Sequence, residues 1–275
     1  KIPFTDITIF QDEVDTNGLE TAEKEYRETG QLKNLPIKKD VVMSQLLSYM
    51  VGCMLGRYSL DKPGLILANQ GESLQEAFNQ HDMTINEQSF PIDEDGIVSF
   101  NGSDSRFADD ASHRVKEFLI AVWGEDTLTE NINFLNECLS MDYEKWLIEK
   151  FWEFHCRMYK KTPIYWMFAS NPKKPHKAAF KVLVYMHRMN KFTVQNIRNK
   201  YLHPYIQWIR EEIKMVEDVT SKLDNFRDVQ VKHSRLADLE DKVSYDNTEA
   251  YSPPTALVSL ILGSEGLDVN SFHNL

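Results

Sequence analysis

The sequence has 275 residues, 42% of them apolar, which excludes a disordered chain and allows one large or two small folded regions. The formal net charge of −11 argues by itself against a nucleic-acid partner. Cys53, Cys138 and Cys156 lack CxxC spacing, which argues against a disulfide framework or structural zinc. No apolar run approaches the roughly 20 residues that span a bilayer, so we expect a cytoplasmic protein without a membrane partner.

In the first 160 residues, segments with helical periodicity alternate with less regular ones, since residues 1–38 are poorly periodic and 71–110 are acidic and rich in turns. Thr127 and Glu130 have the spacing of a capping box for one helix, Asp142 is placed to cap the next, which would run to about residue 161, and Asp40 is placed to cap an earlier one. In chain order we predict a strand or loop at 7–10, a helix at 19–29, a helix at 40–55, a short strand at 65–67, a small strand at 97–100 and a helix at 111–123.

The pattern then changes to that of strands. Residues 163–168 and 179–186 are rich in β-branched and aromatic side chains and flank a proline-rich turn, which predicts a hairpin over 163–186 with its tip at 171–176. Thr193 begins another helix, and three-four spacing from 206 to about 243 predicts a long helix or helical hairpin.

We therefore predict a fold that is mainly α with small β elements (α+β). A helical globular region with the hairpin would occupy residues 1–205. A long helical extension and a tail would occupy 206–275.

The basic residues are segregated along the chain. Residues 154–210 contain twelve Lys or Arg and no Asp or Glu, while the other 218 residues hold 19 basic and all 42 acidic residues. A basic segment in an acidic protein is the electrostatic footprint of a phosphate-rich partner. We predict DNA contact by seven residues of this segment: Lys173, Lys174, Lys177, Lys181, Arg188, Arg198 and Lys200. The alternative is that the segment docks on acidic parts of a larger protein.

No motif of an active site is present. The sequence lacks GxxxxGK[ST], GxGxxG, HExxH and GxSxG, and no two histidines lie four residues apart. Ser170-Asn171-Pro172-Lys173 approaches an adenine-gripping motif, but lysines replace the second proline and the aromatic residue that would stack on a flipped base. We therefore predict no catalytic, cofactor-binding or metal-binding residue.

Three segments together resemble one family. They are 46–70 (LLSYMVGCMLGRYSLDKPGLILANQ), 162–170 (TPIYWMFAS) and 180–190 (FKVLVYMHRMN), with FADD at 107–110 and NKYL at 199–202 in matching order. They are similar to the C-terminal region of the PglX adenine-specific DNA methyltransferases of BREX phage-defence systems, which share a general layout with type IIG restriction–methylation enzymes.

The resemblance implies a segment of a larger enzyme that methylates the N6 of adenine with S-adenosylmethionine. Both the cofactor loop and the adenine-gripping motif of the family lie in an earlier domain, so no cofactor is expected in these 275 residues. The implied partners are double-stranded DNA, the rest of the parent methyltransferase and other defence proteins. We expect a non-catalytic part that helps to hold or recognise DNA. The alternative is a protein-interaction module that docks other defence components without touching DNA.

Overall fold

The computed structural model describes most of the chain, namely residues 13–31, 36–160, 162–220, 234, 235 and 237. Helices and one small antiparallel sheet form this part, which confirms the predicted fold class, mainly α with small β elements. The strand or loop predicted at 7–10 lies outside the described residues, as does the predicted extension from residue 221 onwards except for 234, 235 and 237.

The helices and strands follow in chain order. The helices are α1 (Thr16–Thr29), α2 (Lys39–Leu55), α3 (Leu74–His81), α4 (Ala111–Trp123), α5 (Leu128–Leu139), α6 (Tyr143–Glu149), α7 (Phe151–Met158), α8 (Thr193–Asn196) and α9 (His203–Thr220). The strands are β1 (Ile97–Ser99), β2 (Tyr165–Ala169) and β3 (Lys181–Tyr185). A π-helix, Ile197–Leu202, joins α8 to α9.

The sheet has β3 at its centre. Val184 of β3 lies opposite Ile97 of β1 and opposite Trp166 of β2, and both pairings are antiparallel. The pairing of β2 with β3 confirms the hairpin predicted between residues 163 and 186.

Two hydrophobic cores cover the two faces of the sheet. Because side chains alternate along a strand, Leu183 and Tyr185 pack into a core with α2 and α4 to α7, while Val182 and Val184 pack into a second core with α9 and the π-helix. All five residues of β3 are buried as a result. The predicted division at residue 205 stays a prediction.

The N-terminus of α4 is capped by a side chain, whereas that of α2 is not. Helix α4 has the predicted bounds and is capped by Asp110, whose carboxylate accepts from the Ser112 N–H at 3.0 Å. The predicted cap of α2 is wrong, because Asp40 lies in its first turn and Lys38 occupies the N-cap without a side-chain bond. Helix α2 ends at Gly56, whose φ of 83° is the left-handed conformation that glycine adopts without strain.

The strand predicted at 65–67 is also wrong. The N–H groups of Ile66 and Leu67 donate to the carbonyls of Arg57 and Gly56, both at 3.0 Å. These two N–H groups are therefore bonded within the turn after α2 and do not pair with a neighbouring strand.

The predicted capping box of α5 does not form. The Thr127 hydroxyl donates to the Trp123 and Gly124 carbonyls, both at 3.1 Å, and no backbone N–H of the first turn of α5 donates to it. A capping box does form at α3, between Ser73 and Glu76, and the sequence analysis missed that helix.

The helix predicted from Asp142 to about residue 161 is two helices. Asp142 is the predicted cap, and its carboxylate accepts from the N–H groups of Glu144 and Lys145 at 2.8 and 3.2 Å. Lys150 interrupts the helix with a φ of −113°, so that α6 ends and α7 begins on either side of it.

Candidate nucleic-acid interface

The segment that joins β2 to β3, residues 170–180, is here called the basic loop. Ser170 closes its base, because the Ser170 N–H donates to the Phe180 carbonyl at 2.9 Å. The Ser170 Oγ also accepts from the N–H groups of Ala179 and Phe180, at 3.0 and 3.2 Å. The two ends of the basic loop are thus held at a fixed separation on the edge of the hairpin.

Hydrogen bonds within the basic loop also order its tip. Asn171 accepts from the Lys174 N–H through both its side chain and its carbonyl, each at 3.2 Å. The Lys177 N–H donates to the Lys174 carbonyl at 2.8 Å, within a 3₁₀ turn over Pro175–Lys177. The lysine side chains therefore extend from a backbone with a defined shape.

Four residues of the basic loop present cationic or titratable groups to solvent. Lys173, Lys174, His176 and Lys177 are all exposed. In the part of the chain that the structure describes, none of the three lysines forms an ion pair. Their charges are therefore available to an external anion.

Lys181 belongs to the predicted set but is buried, with 2% of its surface exposed. Its ammonium donates to the carbonyls of Ile148 and Pro175, each at 3.2 Å. Burial lowers the pKa of Lys181 to about 8, although Glu149 and Asp110 act in the opposite direction. Lys181 is therefore largely buried, unlike the three exposed lysines of the basic loop.

A cleft of about 500 Å³ lies beside the basic loop, between α6 and α9. Lys181 and Lys177 line it, together with Asn101, Ile148, His176, Ala178, Ala179, Tyr205, Ser234 and Arg235. Among the described residues, no Asp or Glu lines this cleft. Its cationic lining distinguishes it from the acidic remainder of the protein.

The other three predicted residues lie away from the basic loop and make intramolecular contacts. The Arg188 guanidinium donates to the carbonyls of Asp93 and Glu94, at 2.7 and 2.6 Å. Lys200 pairs with Asp95 at 2.8 Å, and the Arg198 Nε lies 3.3 Å from the His203 Nε2. The structure therefore gathers Lys173, Lys174, Lys177 and Lys181 around the basic loop and does not place the other three with them.

An acidic cluster, which the sequence analysis missed, explains the position of Lys200. Asp93, Asp95 and Asp109 lie close together, and the Tyr201 hydroxyl donates to Asp109 at 2.6 Å. Burial first, and then the charges of Asp95 and Asp109, raise the pKa of Asp93. The segments 107–110 and 199–202 thus meet in space, which is not visible from their separation in sequence.

The three longest segments of the predicted resemblance also meet. Arg57 of the first segment donates to the Tyr185 hydroxyl of the third at 3.4 Å, and the Tyr185 hydroxyl donates to the Leu67 carbonyl at 2.6 Å. The ring of Tyr165, from the second segment, packs edge-on against Tyr185 with centroids 5.4 Å apart. We call Arg57, Tyr58, Tyr165 and Tyr185 the tyrosine junction, and these contacts give it a role in packing.

No group of three or more His, Cys, Asp or Glu residues positioned to hold a metal ion is found within the described ranges. No helix of the described part is both long and apolar enough to cross a bilayer.

Comparison with known proteins identifies relatives of the chain. It is 35% identical over 221 residues to the adenine-specific methyltransferase BrxX of Escherichia coli O9:H4 (strain HS), an alignment that covers 74% of the chain and 18% of BrxX. It is 34% identical over 181 residues to the adenine-specific methyltransferase PglX of Lacticaseibacillus casei (strain Zhang), covering 62% of the chain and 14% of PglX. No family model matches.

These alignments confirm the resemblance predicted from the sequence segments. The chain spans less than a fifth of the length of either relative.

Proposed function

Because the chain is a homologue of part of two adenine-specific methyltransferases, we propose that it is the C-terminal, non-catalytic part of such an enzyme and helps to hold its DNA. The parent enzyme would act in a bacterial phage-defence system of the BREX type. It would transfer a methyl group from S-adenosylmethionine to the N6 of adenine, using a cofactor loop and an adenine-gripping motif that precede this chain. Its substrate would be cytoplasmic double-stranded DNA.

The basic loop is the observation that carries the DNA-holding role. It presents Lys173, Lys174 and Lys177 to solvent, and no ion pair within the described residues occupies them. Lysine acts as a flexible point charge, so these contacts would position the phosphate backbone without reading bases. The acidic remainder of the chain would repel DNA elsewhere and confine the contact to this loop.

The experiment is a salt titration of DNA affinity for the parent enzyme and for K173E/K174E/K177E. Each lost phosphate contact lowers the log–log salt slope by about 0.9, so three lost contacts lower it by about 2.7. We expect weaker binding to specific and random duplexes alike, because backbone contacts are independent of sequence.

The control is K145E/K150E/K214E, which makes the same charge change at three other exposed lysines. It accounts for the effect of net charge on DNA affinity, and we expect it to retain the wild-type slope. The melting temperature of both variants reports the integrity of the fold. An unchanged slope and affinity in a folded K173E/K174E/K177E variant would reject the basic loop as a DNA contact.

A second candidate function is docking of other defence components without DNA contact. The observation that favours it is an apolar surface at the end of α4, where Ile120, Val122 and Trp123 are 36%, 41% and 48% exposed. Exposed apolar patches mark interaction sites in soluble proteins. The salt titration separates the two candidates, because binding at an apolar face does not release counterions from DNA.

A further inference from the structure

The position of Lys181 is energetically unusual. A buried ammonium loses its hydration, and neutral carbonyl groups offset that loss less well than a carboxylate does. Lys181 has two carbonyl partners, those of Ile148 and Pro175. No carboxylate pairs with it within the described residues. An ammonium has three N–H donors, so two contacts leave one donor for a further acceptor.

The side chain of Lys181, which carries this ammonium, lines the cleft beside the basic loop. Lys177, His176 and Arg235 line the same cleft. The cleft is thus lined by four side chains that can donate hydrogen bonds and carry a positive charge. The pKa of Lys181, about 8, keeps most of its population charged at neutral pH. The lining of the cleft is therefore cationic, and Glu149 and Asp110, which act on Lys181, are not among its lining residues.

The donor types and the size of the cleft indicate the class of anion. Arginine and lysine together are the side chains that bind phosphate oxygens, arginine through its two-pronged guanidinium and lysine as a point charge. The cleft, at about 500 Å³, has room for a phosphate together with the sugar attached to it.

We propose that the cleft beside the basic loop is a phosphate-binding site in which Lys181 and Lys177 contact the phosphate oxygens. The phosphate comes either from a DNA backbone or from a free nucleotide. The first source, a DNA backbone, rests on the proposed function, whereas the second does not. With DNA as the ligand, the cleft fixes one backbone phosphate while Lys173 and Lys174 contact the neighbouring phosphates. The site itself rests on the cleft and its lining.

The test is calorimetric titration of the 275-residue chain with inorganic phosphate, for the wild type, K181M and the control K145M. Methionine keeps an unbranched apolar side chain of similar length and removes the ammonium, whereas Lys145 is an exposed lysine of α6. We expect saturable binding by the wild type and K145M, and binding about tenfold weaker or more for K181M, because a charge-assisted hydrogen bond is lost. Absence of saturable binding by the wild type, or unchanged binding by K181M, would overturn the proposal.

Replacement of Lys181 leaves the carbonyls of Ile148 and Pro175 without their partner, and K181M can fail to fold for that reason. K177M then decides, because Lys177 is exposed and lines the same cleft. We expect K177M to keep the melting temperature and to bind phosphate several-fold more weakly. Unchanged phosphate affinity in K177M would count against the site.

Competition experiments separate the two sources of phosphate and the two proposals. A short duplex that displaces phosphate from the cleft identifies a backbone phosphate, and adenosine monophosphate that does so at lower concentration identifies a free nucleotide. Phosphate binding without any effect of K181M on DNA affinity would support the site and remove DNA as its ligand. DNA binding by a chain that does not bind phosphate would leave the proposed function intact and overturn this inference.

Discussion

Gly52 shows how a single residue shapes the tyrosine junction. A Cβ atom at this position would lie 2.5 Å from the Tyr58 Cδ2 and 3.3 Å from the Tyr165 hydroxyl. The ring of Tyr58 cannot move freely, since it packs against Tyr49 with centroids 5.2 Å apart and its hydroxyl accepts from Arg57. Glycine costs a helix interior about 1 kcal/mol relative to alanine, and here close packing outweighs that cost.

We predict that G52A destabilises the protein by about 1–3 kcal/mol, the usual cost of overpacking a core. In a Y58A background the same change should cost much less, because the closest contact is gone, while the Tyr165 hydroxyl at 3.3 Å still opposes the helix propensity of alanine. Urea unfolding of the wild type, G52A, Y58A and the double variant measures both effects. A stabilising effect of G52A in the wild-type background would show that the ring moves aside without cost.

Lys181 shows what residue composition alone cannot predict. The acid-free segment was visible in the sequence, and so were the strand positions 179–186. Composition treats all twelve basic residues of that segment alike, whereas alternation along β3 places Lys181 on the same face as the buried Leu183 and Tyr185. Only the two observations together place Lys181 in the core, whereas composition alone groups it with the exposed lysines. Ionic contacts such as that of Lys200 with Asp95 depend on tertiary structure and have no local signal.

At the scale of elements, the predicted cap is confirmed at Asp142, whereas the caps predicted at Asp40 and Thr127 are wrong. Asp110 and Asp142 cap α4 and α6, as residues of their type and position do. The Thr127 hydroxyl bonds backwards to the end of α4, because only a short 3₁₀ turn separates α4 from α5. This hydroxyl thus bonds carbonyls at the end of one helix and caps no N–H group at the start of the next.

The entry to β1 also depends on a side chain. One Asp93 oxygen, Oδ1, accepts from the N–H groups of Asp95, Gly96 and Ile97, at 3.0, 2.7 and 3.2 Å. Burial and the nearby charges of Asp95 and Asp109 nevertheless raise the pKa of Asp93 above its usual range. The carboxylate orders the strand, but its charge is unfavourable.

The raised pKa gives a pH dependence with a definite sign. At pH values between the ordinary Asp pKa and the raised one, Asp93 is protonated to a greater extent in the folded state than in the unfolded state. The contribution of Asp93 to the free energy of unfolding therefore falls as the pH rises through that interval. Asparagine retains the accepting oxygen and does not titrate. We predict that the stability of the wild type relative to D93N decreases between about pH 5 and about pH 8.

Urea unfolding of the wild type and D93N at the two pH values measures this difference in the free energy of unfolding. Groups that titrate alike in the two proteins cancel in the comparison. The size of the effect depends on Arg188, whose charge partly offsets the shift in the pKa of Asp93. A difference in stability that is the same at both pH values would show that Asp93 titrates normally.

At the scale of the whole molecule, the central strand joins the two cores. Val182 and Val184 pack on the side of α9, and Leu183 and Tyr185 pack on the side of α2. The helical pattern of α9 was predicted from three-four spacing, but that spacing does not reveal what its apolar face contacts. The prediction of a long extension from residue 206 onwards rests on that spacing alone.

The position of Ile209 makes the division at residue 205 testable. Ile209 is 3% exposed, and it belongs to the same core as Val182 and Phe168 of the sheet. If α9 and the sheet unfold as one unit, I209A should reduce hydrogen-exchange protection equally for the amides of α9 and β3. The expected loss is about 2–5 kcal/mol, the usual cost of replacing a buried Ile with Ala.

Q207A is the matched control, because Gln207 is exposed on the same helix and alanine favours helix. We expect it to leave protection of both elements within about 0.5 kcal/mol of the wild type. Loss of protection confined to α9 in I209A, with β3 unaffected, would instead establish an independent region from residue 206. Equal loss in both elements would mean that the hairpin carrying the basic loop is stable only with α9 packed behind it, because Val182 and Val184 would otherwise be exposed to water.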